Sequence, residues 1–330
     1  MKLAELGEFG LIERIQKSTP KGKGVLLGIG DDAAWLKWRD RSLLVTADVL
    51  IEGFHFDFAW TSPYELGYKA LAVNLSDIAA MGGTPSYFVT SLGVPADFEA
   101  EGVEEIFRGM RALSTRTGAV LVGGDTSAAD RLVLSVCLFG RAPHRPVSRQ
   151  GARVGDDLYV TGTLGDSSLG LELLKTRGEK GKDAAARYLF LRHRFPAARL
   201  RAGAALARRG LARAMIDVSD GLLQDLGHIC RASGVGAVVW EQSLPLSRAY
   251  RSLAGGRGLS YALSGGEDYE LLFAAPVAAR ARLEKSGRSL LGVKVTRIGT
   301  CVASKEGIKV VDRKGQPLSL PAGGYDHFKH

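Results

Sequence analysis

The chain has 330 residues, 45% hydrophobic and 24% charged, the usage of a folded protein rather than a disordered or collagen-like one, with more chain than the about 250 to 300 residues one core sustains. Lys and Arg number 44 against 35 Asp and Glu, a net charge of +9, but neither a zinc finger nor an RNA-binding aromatic pattern accompanies the excess, so nucleic acid is not expected as a partner. Cys137, Cys230 and Cys301 lie far apart and suggest neither a disulfide framework nor a zinc site; with no signal peptide and no apolar run near the about 18 residues of a membrane span, a soluble cytoplasmic protein away from membranes is expected.

Residues 8–18 place Phe9, Leu11, Ile12 and Ile15 at helical spacing until Pro20, Gly22 and Gly24 break the pattern. Strands are predicted over Val25 to Ile29 and Ser42 to Thr46, delivering Gly30-Asp31-Asp32 and Asp48 at their exits. Ser62-Pro63-Tyr64-Glu65 is a helix start, with Ser62 as cap, Pro63 at the first helical position and Glu65 reaching back. That helix should run to Met81 and stop at Gly82-Gly83. Along it Lys69, Val73 and Asp77 recur every four residues, among Leu71, Ala72, Leu75, Ile78, Ala79 and Ala80. An acid so surrounded is nearly buried and needs a partner, for which a metal ion would serve.

A strand from Tyr87 to Val94, a helix over 98–117 closed by Gly118, and a strand Ala119 to Val122 lead into Gly123-Gly124-Asp125-Thr126, where twin glycines let the backbone approach a ligand. Arg131 to Arg141 is a further strand, and the first domain is placed at 1–145 and the second at 146–330. Between them, Pro143, Pro146 and Arg149 mark a linker or a phosphate-facing loop. A strand over Asp157 to Thr161, a helix through Lys175 and two basic helices, Asp183 to His193 and Pro196 to Arg209, follow. Next, Ala214 to Ile216 ends at Asp217, and Ser219 is expected to cap a helix to Ala232. Ser264-Gly265-Gly266-Glu267-Asp268-Tyr269-Glu270-Leu271 enters a strand to Ala275, with a helix after Pro276 and strands near Lys294 and Ile308.

Asp32, Asp48, Asp77, Asp125, Asp217 and Asp220 each sit beside Gly, Ser or Thr at the edge of an apolar segment. Singly each reads as a turn or helix cap. Together, with oxygen ligands and no cysteine cluster, they favour several Mg²⁺ ions, and Mg²⁺ commonly comes with nucleotide phosphates. No G-x-x-x-x-G-K-[ST] or G-x-G-x-x-G occurs, so common nucleotide-binding folds lack support.

The motifs at 28–32, 68–82, 123–126, 216–221, 264–271 and 324–328, in this order, resemble those of the thiamine-monophosphate kinases, a family akin to aminoimidazole ribonucleotide synthetase and selenophosphate synthetase. The resemblance implies an α/β (α+β) fold of two domains: an N-terminal mixed sheet that joins a second subunit's in a dimer barrel, carrying ATP and Mg²⁺, and a C-terminal α/β domain completing the site. It implies direct transfer of the γ-phosphoryl group of ATP to thiamine monophosphate by a homodimer. Asp32, Thr46, Asp48, Asp77, Asp125, Asp217 and Asp220 then match Mg²⁺ ligands; Asp32, Phe107, Gly124, Asp125, Arg149 and Ser219 match ATP contacts; His55, Glu267 and Tyr325 match residues holding the thiamine moiety; and Arg149 and Asp220 take catalytic roles. A carboxylate and an aromatic ring suit a thiazolium cation. Two departures stand out: Ala47, where a hydroxyl is common, removes a side-chain ligand, and Phe107, in place of a tyrosine, removes a hydrogen bond.

Overall fold

In the computed structural model, which describes residues 3–19, 22–38, 41–178, 183–255 and 258–318, the first half runs α1 (Leu3–Ser18), β1 (Val25–Leu27), β2 (Ala34–Trp38), β3 (Arg41–Ile51), α2 (Pro63–Ala80), β4 (Thr84–Val94), α3 (Ala100–Thr117), β5 (Val120–Ala128) and β6 (Val133–Arg141). Its six strands form one sheet in the order β1-β2-β3-β6-β4-β5, antiparallel except for the β4–β5 pair.

The second half runs β7 (Asp157–Thr161), α4 (Asp166–Arg177), α5 (Ala184–Arg194), α6 (Leu200–Arg208), β8 (Ala214–Asp217), α7 (Leu222–Ser233), β9 (Val235–Trp240), α8 (Arg248–Leu253), α9 (Ser260–Ser264), β10 (Leu271–Ala275), α10 (Arg280–Leu291), β11 (Val295–Ala303) and β12 (Ile308–Val311). A second mixed sheet has the order β12-β9-β11-β7-β10-β8. The two domains are thus both sheet-and-helix units, as an α/β (α+β) chain requires.

Several elements depart from the sequence expectation. Strand β3 continues to Ile51, so Asp48 lies inside it, opposite Val136 of β6, and not at its exit. Asp125 likewise sits within β5. Helix α1 begins at Leu3 and is broken at Gly7, whose φ is 73°. Strands β2 and β9 were not anticipated; β9 starts directly after Gly234, which closes α7 in the left-handed conformation. Helix α7 itself starts at Leu222, not at Ser219.

Helix α2 positions the rest. Both halves of its capping box form: the Glu65 N–H donates to Ser62 Oγ and the Ser62 N–H to Glu65 Oε2, at 3.3 and 2.8 Å. Buried residues encircle it, because it is packed on both flanks. Toward α3, a Cβ at Gly67 would meet the Ile106 carbonyl oxygen at 1.8 Å; toward α6 of the second domain, a Cβ at Gly203 would meet the Ala79 carbonyl oxygen at 1.9 Å. Ala79 and Ala80 join Ala202, Ala205, Met215 and Phe273 in one apolar cluster. A helix of the first domain is therefore part of the core of the second.

Replacing glycine by alanine inside a helix ordinarily adds up to about 1 kcal/mol. Gly203→Ala should instead lower stability by about 1 to 3 kcal/mol, since backbone must move to admit the methyl group. Gly287→Ala in α10, where the nearest atom to a new Cβ is 3.6 Å away, should be neutral or stabilising. Urea unfolding of both variants checks the pair, and a neutral Gly203→Ala would contradict the close α2–α6 contact.

Candidate active site

Strand β3 runs beneath α2, its inward positions alternating with the exposed Ala47 and Val49. Thr46 faces inward and donates its hydroxyl to Asp77 Oδ2 on the helix. One residue earlier on α2, Ser76 Oγ donates to Asp217 Oδ2 at the end of β8, 2.5 Å away. The turn after β1 supplies Asp32, which accepts from Arg149 Nη2 at 2.8 Å, and Asp31, which accepts from the Arg149 N–H at 3.0 Å. Oxygens of Asp32, Asp77 and Asp217 lie within 4.8 Å of one another.

The cluster is under electrostatic strain. Burial, then the carboxylates of Asp48, Asp217 and Asp32, push the Asp77 carboxyl well above its ordinary range. Burial and Asp32 lift Asp217 to about 8, burial alone lifts Asp48 to about 6, and burial with Asp32 lifts Asp31 to about 7. Asp32 Oδ2 and Arg149 Nε are both buried with no hydrogen-bond partner among the described residues. A buried acceptor and a buried donor left open beside three converging carboxylates fit a bound divalent cation and an anion.

The second domain contributes two loops. Asp225 Oδ2, from the first turn of α7, accepts the backbone N–H groups of Ser219, Asp220 and Gly221 at 3.1 to 3.2 Å. Ser219 is therefore held by a carboxylate from within the helix instead of capping it. Asp220 accepts from Gln224 Nε2 at 3.0 Å and, with Asp225 and His228, forms a second acidic group. The loop over 265–270 packs on this one: the Glu267 N–H donates to the Ser219 carbonyl at 2.7 Å, and Glu267 has a φ of 67°. Lys69 Nζ lies 2.6 Å from Glu267 Oε1 and His193 Nδ1 3.2 Å from Oε2.

Of the residues expected to carry the site, Asp32, Thr46, Asp48, Asp77, Arg149 and Asp217 are thus brought together. Asp125 is exposed on the edge strand β5, outside the three-acid cluster. Its neighbour Gly124 shares a cross-strand row with Thr90, Val136 and Asp48, and a Cβ there would meet the Thr90 carbonyl at 2.2 Å; that glycine admits a neighbouring strand. Phe107 packs half-buried on the N-terminal core. His55, in the turn after β3, accepts the Ile51 N–H at Nδ1 over 3.1 Å. Tyr325 lies outside the described residues. Sequence reasoning missed Lys69, His193 and Asp225 as parts of the site; Lys69 alone left a signal, in its helical spacing from Asp77.

Two family models match in tandem: AIR synthase related protein, N-terminal domain, over residues 30–142, and its C-terminal domain over residues 153–312. The fold is therefore that of an AIR synthase related protein. The chain is 42% identical over 326 residues to the thiamine-monophosphate kinase of Salmonella typhimurium, with 98% of each covered, and 38% identical to that of Aquifex aeolicus, with 99% of this chain and all of the relative covered. The solved structure of AaThiL complexed with AMPPCP and TMP matches with a TM-score of 0.86 at 37% identity over 99% of both chains. Within the AIR synthase related proteins, the chain belongs to the thiamine-monophosphate kinase family. Hydrogenase maturation protein HypE of E. coli, at 22% identity and a TM-score of 0.69, shares the fold.

Carboxyls whose folded pKa is raised contribute stability that is complete below their unfolded value near about 4 and is lost as pH rises through the folded one. For Asp48 that loss runs from about pH 4 to about 6, and for Asp217 from about pH 4 to about 8, so Asp217 carries most of it above about pH 6. The thermal midpoint of the cation-free protein should accordingly fall from about pH 5.5 to about 8.5, and added divalent cation should recover much of the difference. A midpoint rising over that range, or indifferent to cations at its upper end, would contradict the site.

Proposed function

We infer that the protein transfers the γ-phosphoryl group of ATP to thiamine monophosphate, giving thiamine diphosphate and ADP, as the names of its full-length relatives suggest. The observation that carries this is the convergence of Asp32, Asp77 and Asp217 beside a buried Arg149 whose Nε–H is open, in a chain matching AaThiL, solved with AMPPCP and TMP, along its whole length.

Asp32, Thr46, Asp48, Asp77 and Asp217 would hold Mg²⁺, for which carboxylate and hydroxyl oxygens are the right donors. Asp125 and Asp220 would complete that set on the nucleotide's side. Bound there, the ions would neutralise phosphate charge. Arg149, fixed by both Asp31 and Asp32, would aim its remaining donors at the transferring phosphate, with Gly124, Ser219 and the ring of Phe107 as further nucleotide contacts. His55, Glu267 and Tyr325 would hold the thiamine moiety.

The acceptor is itself a phosphate. Its second pKa is about 6, so its oxygen attacks the γ-phosphorus already ionised, the bond to the bridging oxygen breaks, and ADP leaves with the electron pair. Such transfer asks the chain for alignment and charge balance, not for a strong base. A cytoplasmic setting suits the three unpaired cysteines.

A homodimer suits the first sheet. Its edge strand β5 is exposed along its length, with Val120, Leu121 and Val122 uncovered and Tyr87 exposed beside it on β4. An apolar open edge of this length is a pairing surface, and a second copy meeting it would bring Gly124 and Asp125 to the interface.

Incubation with ATP, Mg²⁺ and thiamine monophosphate should give thiamine diphosphate and ADP in equal amounts, read by chromatography. Asp77→Asn should lower kcat about 10²-fold or more while raising the thermal midpoint of the cation-free protein, because it removes a carboxyl whose ionisation burial and the neighbouring acids make costly. Full turnover in Asp77→Asn at limiting Mg²⁺ would refute the assignment. Val122→Glu should shift the sedimenting mass from two chains to one, and an unchanged mass would place the dimer contact elsewhere.

A further inference from the structure

Three acids stand together in the loop over 265–270, and they differ sharply in what they face. Asp268 is buried on the backbone N–H groups of Gly165 and Ser167, at 2.6 and 3.2 Å. Glu270 is buried against Arg192 and Arg199 and accepts from Thr161 Oγ1. Both are consumed in holding the loop to β7, α4 and α5. Of the three only Glu267 is part-exposed: 28% of its side chain is uncovered, while its two partners, Lys69 and His193, are almost wholly enclosed at 4% each.

Those partners decide what Glu267 can do. Burial alone would raise its carboxyl, but Lys69 and then His193 hold it well below the usual carboxylate range, so it is an acceptor that does not become a donor. Burial and Lys69 depress His193; its Nδ1 lies 3.2 Å from Glu267 Oε2, to which it must donate because an ionised carboxylate only accepts, and 3.1 Å from Ser167 Oγ. The ammonium at 2.6 Å already matches the carboxylate's charge, and little net field remains for a cationic ring. Directed lone pairs do remain: a carboxylate has about four acceptor positions, and Lys69 and His193 occupy one on each oxygen. On thiamine monophosphate the thiazolium carries the charge but no N–H, and the exocyclic amino group of the pyrimidine is the ring system's N–H donor.

We propose that Lys69 is a positioning residue that fixes Glu267 as a hydrogen-bond acceptor for the exocyclic amino group of the acceptor's pyrimidine, instead of a counter-charge for its thiazolium. This rests on the reading that Glu267 faces the acceptor. It assigns Lys69, on α2 of the first domain, a part in acceptor selection by the second domain's loop, and it explains a lysine buried in a helix core. The positive φ of Glu267 and the Glu267 N–H bond to the Ser219 carbonyl aim the side chain from its own backbone as well.

The test compares thiamine monophosphate with its desamino analogue, in which hydrogen replaces the pyrimidine amino group, as acceptors for the full chain with saturating ATP. The unaltered protein should prefer the amino acceptor by about 30-fold in kcat/KM, the scale of a charge-assisted hydrogen bond. In Glu267→Ala that ratio should fall to about 3-fold or less, through KM for the acceptor and not KM for ATP. Lys69→Met should narrow the ratio to below about 10-fold, again with KM for ATP unchanged.

Equal loss for both acceptors in Glu267→Ala, with the ratio intact, would overturn the proposal while leaving Glu267 in the acceptor site. Unchanged acceptor KM values in that variant would remove Glu267 from the acceptor site altogether. An intact ratio in Lys69→Met would overturn the part given to Lys69. Should that variant fail to fold, the unaltered protein still decides: its preference should be flat from about pH 5.5 to 8, with Lys69, His193 and Tyr269 as the titratable groups around Glu267. A preference fading toward acid would show Glu267 taking up a proton and overturn it.

Discussion

Carboxylates drawn together in a poorly solvated place repel one another by about 4 kcal/mol per pair at 4 Å and an effective dielectric of 20, and the organisation around α2 sets that repulsion up. Asp77 comes from the helix, Asp32 from the turn after β1 and Asp217 from the end of β8, with their oxygens within 4.8 Å. Hydrogen bonds from Thr46, Ser76 and Arg149 hold the three in place. They leave Asp32 Oδ2 open. The fold thus maintains a cluster that fits positive charge from outside it.

What permits this is the shared helix. Glycines at 67 and 203 bring α3 and α6 against opposite flanks of α2 at distances no side chain would allow, so acids from two domains can be fixed by one rigid element. The same helix sends Lys69 toward Glu267 and, at Glu65, a carboxylate toward Arg194 Nη1 at 3.5 Å. The three-acid cluster and the loop carrying Glu267 consequently share one frame. Alignment of donor and acceptor phosphates, which is most of what phosphoryl transfer asks of a protein, follows from how tightly that frame is packed.

Much of this was legible in the sequence where a local rule and the global structure agree. The capping box at Ser62 and Glu65 and the twin glycines after Met81 bounded α2 correctly, and the apolar circumference around Asp77 already implied a partnered acid. The rule failed where the site interrupts a pattern. Strand β3 seemed to end at Thr46 because Thr46 and Asp48 occupy inward positions that apolar residues would otherwise hold. Ser219 looked like a helix cap because nothing local reveals that Asp225 takes the N–H groups of that loop. Pairings such as Lys69 with Glu267 and Ser76 with Asp217 join residues distant along the chain, and no periodicity reports them. The departures therefore mark the places where inward polar groups serve the site.

The claim on which the rest depends is that α2 gathers these acids around divalent cations that the nucleotide shares. Equilibrium dialysis with Mn²⁺, with and without a non-hydrolysable ATP analogue, measures it directly. Saturable binding that tightens at least about tenfold with the analogue, a coupling of about 1.4 kcal/mol, and that is lost in Asp217→Asn, is the predicted result. Cation binding that is absent in the unaltered protein both with and without nucleotide, or unchanged in Asp217→Asn, would contradict it.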